Sequence, residues 1–222
     1  VHAATATIST AAVDSRATSI PKRANLCLKR KGLTAMLRFF FNKPDPAVRS
    51  LYDRAVAQAR LPVFYQKFGV PDTLEGRFDM VVFHVSPLID RLRDETGAIS
   101  RKGQDLFDTF VDDMEQNLRA MGVGDLTVPK RMKKFGAAFY GRFNAYRKAG
   151  ADSNVLAATI ARNLLGEEER ATTPQARALA AYYLAVVEAA KSADDPIGDF
   201  VYPDVTAFVP RSGATQTVEA AL

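Results

Sequence analysis

Hydrophobic positions recur every three or four residues from Asp45 onward, and this period predicts a helical body. Val48, Leu51, Tyr52, Ala55, Val56 and Ala59 fall on one helical face. Pro62 interrupts this helix, and a short piece from Val63 to Phe68 runs to Gly69. The next helix opens at Pro71, with Asp72 placed to cap it and Glu75 three residues on to complete a capping box. Its apolar face is Phe78, Val81, Val82, Val85, Leu88, Ile89 and Leu92, with a kink expected near Val85 ahead of Pro87 and an end at Gly97. Ser100 caps a helix whose stripe is Leu106, Phe107, Phe110, Val111, Met114, Leu118 and Met121, and Gly122 suits a left-handed turn after it. A basic helix over 129–148 follows, then helices over 153–165 and 174–191, the last with Thr173 as cap and Pro174 as first residue. After Pro196 the period fades into chain expected to dock extended on the body. No stretch of five residues alternates as a strand would, so the predicted class is all-α. It is one domain of six to seven helices over 45–205, with a leader over 1–40 and a flexible tail over 206–222.

Composition places the chain among globular proteins, at 222 residues, 47% hydrophobic and 25% charged. No apolar run approaches the roughly 20 residues of a spanning helix. The formal charge of +5 is local. Residues 1–35 carry six basic side chains against Asp14 alone, which leaves 24 basic and 24 acidic residues in the remainder. The neutral remainder argues against general DNA binding. Residues 1–35 read as disordered and acid-poor, which fits either an organelle transit peptide or a true start at Met36.

Candidate chemistry is sparse. Cys27 is alone and the only histidines are His2 and His84, so neither a disulfide nor a structural zinc site is expected. His84 follows Met80 by one turn, but a single helix cannot place both on opposite sides of one haem iron. The acids Asp105, Asp108, Asp112, Asp113 and Glu115 crowd one helix without the Glu-x-x-His partner of a di-iron bundle, and they read as a solvated or arginine-paired face. Gly122 and Gly124 lack the remainder of a phosphate loop, and no nucleophile elbow or Cys–His pair occurs. No catalytic residue, metal or cofactor is therefore assigned.

The basic helix is more specific. Lys130, Arg131, Lys133, Lys134, Arg142, Arg147 and Lys148 carry seven positive charges with no acid between them. Met132, Phe135, Phe139, Phe143 and Tyr146 follow helical spacing toward the core, and Tyr140 falls beside that stripe, nearer the surface. Such clustering reads either as a solvated face or as a patch for anionic lipid, RNA or an acidic protein surface.

Several stretches together resemble the ubiquinol–cytochrome c chaperone family. They are LYDR at Leu51–Arg54, ARLPVFY at Ala59–Tyr65, GVPDTLEGRFDM at Gly69–Met80, FVDDM at Phe110–Met114, LRAMGVGD at Leu118–Asp125 and FYGRFNAY at Phe139–Tyr146. The resemblance covers about 45–190 and implies a helical, non-enzymatic assembly factor for the cytochrome bc complex. Its mitochondrial members act in cytochrome b synthesis and early assembly, with a partner protein and near the ribosome. Counted from Met36, the chain resembles a short bacterial member at the cytoplasmic face of the inner membrane; a genuine presequence would place it on the matrix side of the mitochondrial one. The partners implied are cytochrome b or another assembly factor, with an anionic membrane surface or the ribosome nearby.

Residues singled out for contact with a client or partner are Arg77, His84, Asp113, Arg119, Asp125, Tyr140, Arg142 and Tyr146, beside the basic patch of Lys130, Arg131, Lys133, Lys134, Arg147 and Lys148. Arg77 and Arg142 suit forked bonds to a carboxylate such as Asp113 or Asp125, or to a partner. Gly141 is expected to let helices approach closely. Two other functions compete with the chaperone: a peripheral membrane- or RNA-binding module, and a lipid or quinone carrier with a cavity between helices.

Overall fold

The computed structural model of the chain describes residues 45–210. The leader, Cys27, Met36 and residues 211–222, for which expectations are stated above, lie outside them. Among the described residues the chain is all-α, with helices α1 (Pro46–Ala59), α2 (Pro62–Gln66), α3 (Leu74–Arg91), α4 (Arg101–Ala120), α5 (Val128–Ala149), α6 (Ser153–Asn163) and α7 (Pro174–Ser192). Two 3-10 turns, Glu168–Thr172 and Val205–Phe208, complete it.

Helix α3 is the axis of the bundle, packed against α1, α4, α5 and α7. The stripe read from sequence is only part of what it buries. Met80 and Phe83 are also inside, and the helix is covered almost all round from Phe78 to Ile89. A helix apolar on every side belongs at the centre of a fold. Pro87 lies within α3, which continues unbroken to Arg91. Ser86 Oγ donates to Val82 O at 2.6 Å and the Tyr202 hydroxyl donates to His84 O at 3.1 Å, so carbonyls near the proline gain partners from outside the helical ladder.

Two local expectations are corrected. Thr73, not Asp72, caps α3, its hydroxyl accepting from Gly76 N at 3.1 Å. Asp72 turns instead to Arg77 Nε at 2.7 Å. With Thr73 as cap the third helical position is Gly76, which has no side chain to reach back, so no capping box forms. Helix α3 also ends at Arg91, before Gly97. Asp94 makes a side-chain turn there, accepting from Thr96 N and Ala98 N, and Gly97 at φ 76° sits in the reversal. The caps at Ser100 and Thr173 and the left-handed Gly122 stand as read.

Aromatic side chains fill both ends of α3. Phe64, Phe83, His84, Tyr182 and Tyr183 meet at one end, where the Phe83 and Tyr183 centroids are 5.0 Å apart. Phe78, Phe107, Phe110 and Phe139 meet at the other. Each such burial contributes about 1.5–3 kcal/mol.

The segment after Pro196 docks on the body, and the docking runs on to Phe208, past residue 205, beyond which a flexible tail was expected. Ile197, Phe200 and Val205 are buried, Arg54 of α1 binds the carbonyls of Ile197 and Gly198, and the Phe208 ring lies 5.6 Å from Tyr182.

Candidate functional site: a cleft between three helices

The C-terminal parts of α3, α5 and α7 diverge enough to leave an open cleft of about 620 Å³. Pro87, Phe143, Tyr146, Tyr183, Leu184 and Val187 give it apolar and aromatic walls. Its rim carries both signs, with Asp90, Arg91, Arg147, Glu188 and Lys191. Some of this charge is already engaged: Arg91 Nε donates to Ala190 O at 3.0 Å and Arg93 pairs with Asp90 at 2.6 Å.

Polar groups converge on Tyr146, which lines the cleft yet is buried, with a hydroxyl that has no hydrogen-bond partner. Burial holds that phenol well above the usual tyrosine range, and the Asp79 charge adds to the rise. Asp79 of α3 pairs with Arg142 of α5 through Oδ1–Nε at 2.7 Å and Oδ2–Nη2 at 3.0 Å. Burial raises Asp79 to about 6 despite the guanidinium, because desolvation outweighs the attraction.

The residues singled out in the sequence lie in several places. Arg142 lies near Tyr146 and Arg147 on the cleft rim. His84 is in the core, its Nδ1–H donating to Met80 O at 2.8 Å and its Nε2 accepting from the Tyr182 hydroxyl at 3.2 Å. Burial lowers its pKa to about 4, so the ring is neutral. Tyr140 is 46% exposed on the outer side of α5, its ring 5.2 Å from Phe107. Lys130, Arg131, Lys133, Lys134, Arg147 and Lys148 are all exposed.

The carboxylate partners differ from those expected. Arg77 meets Asp72, and Arg142 meets Asp79. Asp113 accepts from the Tyr52 hydroxyl at 2.7 Å, and Asp125 pairs with Arg119, which also holds Glu115 at 2.8 Å. Gly141 does not mediate a close approach, since a Cβ there would meet nothing within 4 Å. Partial burial raises Asp112 to about 6, and the neighbouring Asp108 and Glu115 charges add to the rise.

Sequence reading missed Asp79 and the α3 and α7 walls of the cleft. Asp79 had a signal: it is a lone acid between Phe78 and Met80 in an apolar stretch, and a buried carboxylate needs a cation. The cleft had none, because it arises where the ends of three separately written helices fail to close on one another. Among the described residues no His, Cys, Asp and Glu group is disposed to hold a metal, and no helix is long and apolar enough to cross a membrane.

Comparison with known proteins agrees with this architecture. A family model described as ubiquinol-cytochrome C chaperone matches residues 66–197. The ubiquinol-cytochrome-c reductase complex assembly factor 1 of Xenopus laevis is 27% identical over 138 residues, spanning 62% of this chain and 69% of that one. The crystal structure of the Cbp3 homolog from Brucella abortus superposes with a TM-score of 0.64 at 35% identity, covering 82% of this chain and 98% of that one. The family is one of chaperones and not of catalysts. With the match covering more than half of its length, the chain belongs to the ubiquinol–cytochrome c chaperone family.

Proposed function

We propose that this protein is a non-enzymatic assembly factor for ubiquinol–cytochrome c reductase that holds a segment of cytochrome b, or a partner assembly factor, in the α3–α5–α7 cleft. The observation that carries this reading is the cleft itself, an aromatic-walled groove on a chain of this family. Its walls suit an apolar side-chain row, and a rim of mixed sign suits a peptide segment with charges of its own better than a neutral quinone tail. Work of this kind needs contact area and reversible binding, with no reacting group.

On this reading the protein works at the membrane surface, on the bacterial cytoplasmic face or on the matrix face of the mitochondrial inner membrane. The exposed cations of α5 support that placement and also favour a second reading, a peripheral module that binds anionic lipid or RNA.

Deletion of the gene tests the function: cytochrome b and the assembled complex should fall, and normal accumulation of both would overturn it. Val187→Glu in the cleft wall should remove cytochrome b from a pull-down in mild detergent. Charge reversal at Lys130, Arg131, Lys133 and Lys134 should leave that client bound; loss of lipid or RNA binding as the sole effect of deletion and reversal would favour the module. A lipid or quinone co-purifying one-to-one with the protein would favour the carrier.

A further inference from the structure

The loop between α4 and α5 carries apolar side chains that the fold does not use. Leu126 is 97% exposed and Met121 is 50% exposed. The loop is nevertheless held in shape. Gly122 N donates to Arg119 O, Val123 N to Leu118 O at 3.1 Å, and Thr127 N to Gly124 O at 2.7 Å. Gly122 at φ 76° reverses the chain directly after Met121, so the tip is presented by a fixed turn.

The tip is followed by a cluster of positive charge. Lys130, Arg131, Lys133 and Lys134 are all exposed along the first turns of α5. The acid at the tip, Asp125, is tied back to Arg119, which also engages Glu115. An exposed apolar tip followed directly by four exposed cations on the next helix matches one partner chemistry closely, the surface of an anionic bilayer. Leucine and methionine enter the acyl region, while lysine and arginine stems lie along the interface with their heads at the phosphates. RNA would use the cations and leave Leu126 and Met121 in water.

We propose that the α4–α5 loop inserts into an anionic lipid surface, with Leu126 and Met121 below the headgroups and Lys130, Arg131, Lys133 and Lys134 at the phosphates. The proposal rests on the placement at a membrane surface and adds the point of contact and the lipid class.

The chain contains no tryptophan, so Leu126→Trp in the whole chain gives a single tryptophan at an exposed site, excited at the red edge where the seven tyrosines hardly absorb. Its emission should move to shorter wavelength on phosphatidylglycerol-containing vesicles and be quenched by bromine-labelled acyl chains. Vesicles of phosphatidylcholine alone should leave it unchanged, and so should the same vesicles with Val155→Trp on α6 as control. Lys130→Glu with Lys133→Glu should weaken vesicle sedimentation at least about tenfold. Sedimentation with vesicles but no shift at position 126 would overturn the insertion while leaving peripheral attachment in place. No binding to vesicles, or a shift with RNA in their stead, would overturn it too. Neither result touches cytochrome b capture, which is read separately in the pull-down.

Discussion

Arg142 on α5 clasps Asp79 on α3 through two contacts, at 2.7 and 3.0 Å, and the aspartate side chain is only 9% exposed. The guanidinium also lies over the Phe78 ring, 5.7 Å from its centre. Two charges so enclosed are costly apart, since losing one leaves the other without solvent or partner. Arg142→Met should therefore destabilise the protein by about 3 kcal/mol at pH 8. Asp79 is already raised to about 6, and without Arg142 it rises further. A carboxylate raised by folding costs stability as pH climbs from its unfolded value through its folded one. The defect should accordingly shrink near pH 5, where Asp79 takes up a proton. Urea denaturation of both proteins at pH 5 and pH 8 measures it, and an equal loss at the two values would contradict the account.

His84 gives a dependence of opposite sign. Gln58 Nε2 donates to the Tyr182 hydroxyl at 3.0 Å, and that hydroxyl donates to His84 Nε2. Met80 O can only accept, which fixes the proton on Nδ1. Burial lowers the ring to about 4. A depressed histidine contributes its full stability above the unfolded value near 6.5, and that contribution is lost as pH falls toward 4. About 3 kcal/mol is at stake. Asp79 and Asp112 titrate in the same range with the other sign, so the wild type alone will not isolate the effect. Its advantage in Tm over His84→Gln should narrow between pH 7 and pH 4. An advantage that stays constant would mean the ring is protonated in the fold.

Two helical glycines should respond oppositely to alanine. At Gly76 a Cβ would stand 2.0 Å from the Pro71 carbonyl oxygen, a backbone atom that cannot swing aside. Gly76→Ala should cost on the order of 2 kcal/mol. Gly141 is exposed within α5 and meets nothing within 4 Å, so Gly141→Ala should gain roughly 0.5–1 kcal/mol from restricted unfolded chain and better helix propensity. Thermal denaturation of both decides it; a loss at Gly141 would mean that surface touches something in the folded protein.

Periodicity alone made the helices legible, because each element except α3 buries one face and leaves the other wet. The caps at Ser100 and Thr173 were equally legible, since Ser100 follows the apolar pair Ala98 and Ile99 and Thr173 directly precedes a proline suited to the first helical position. Adjacent candidates defeated the same logic at Asp72 and Thr73, where the choice turned on Arg77 drawing the aspartate away. Pairings across elements were the weakest part. Arg142 has its charge written in the sequence, but which acid it meets depends on the angle at which α5 crosses α3. The cleft residues lay further out of reach, for Tyr183 and Val187 read as ordinary core positions of α7 and only an unfilled neighbouring space distinguishes them.

The docked segment from Ile197 to Phe208 has a practical consequence for anyone cutting the protein to size. The match to the family model stops at residue 197, whereas Phe200 and Val205 are still buried, with Tyr202 bonded to α3 and the turn at Val205 packed on α7. A fragment trimmed at 197 would strip the cover from His84 and Tyr182. It should bind hydrophobic dyes and melt several degrees below one ending at 210. The folding unit outruns the stretch that the family model matches, because its last aromatic rings lie against His84 and Tyr182.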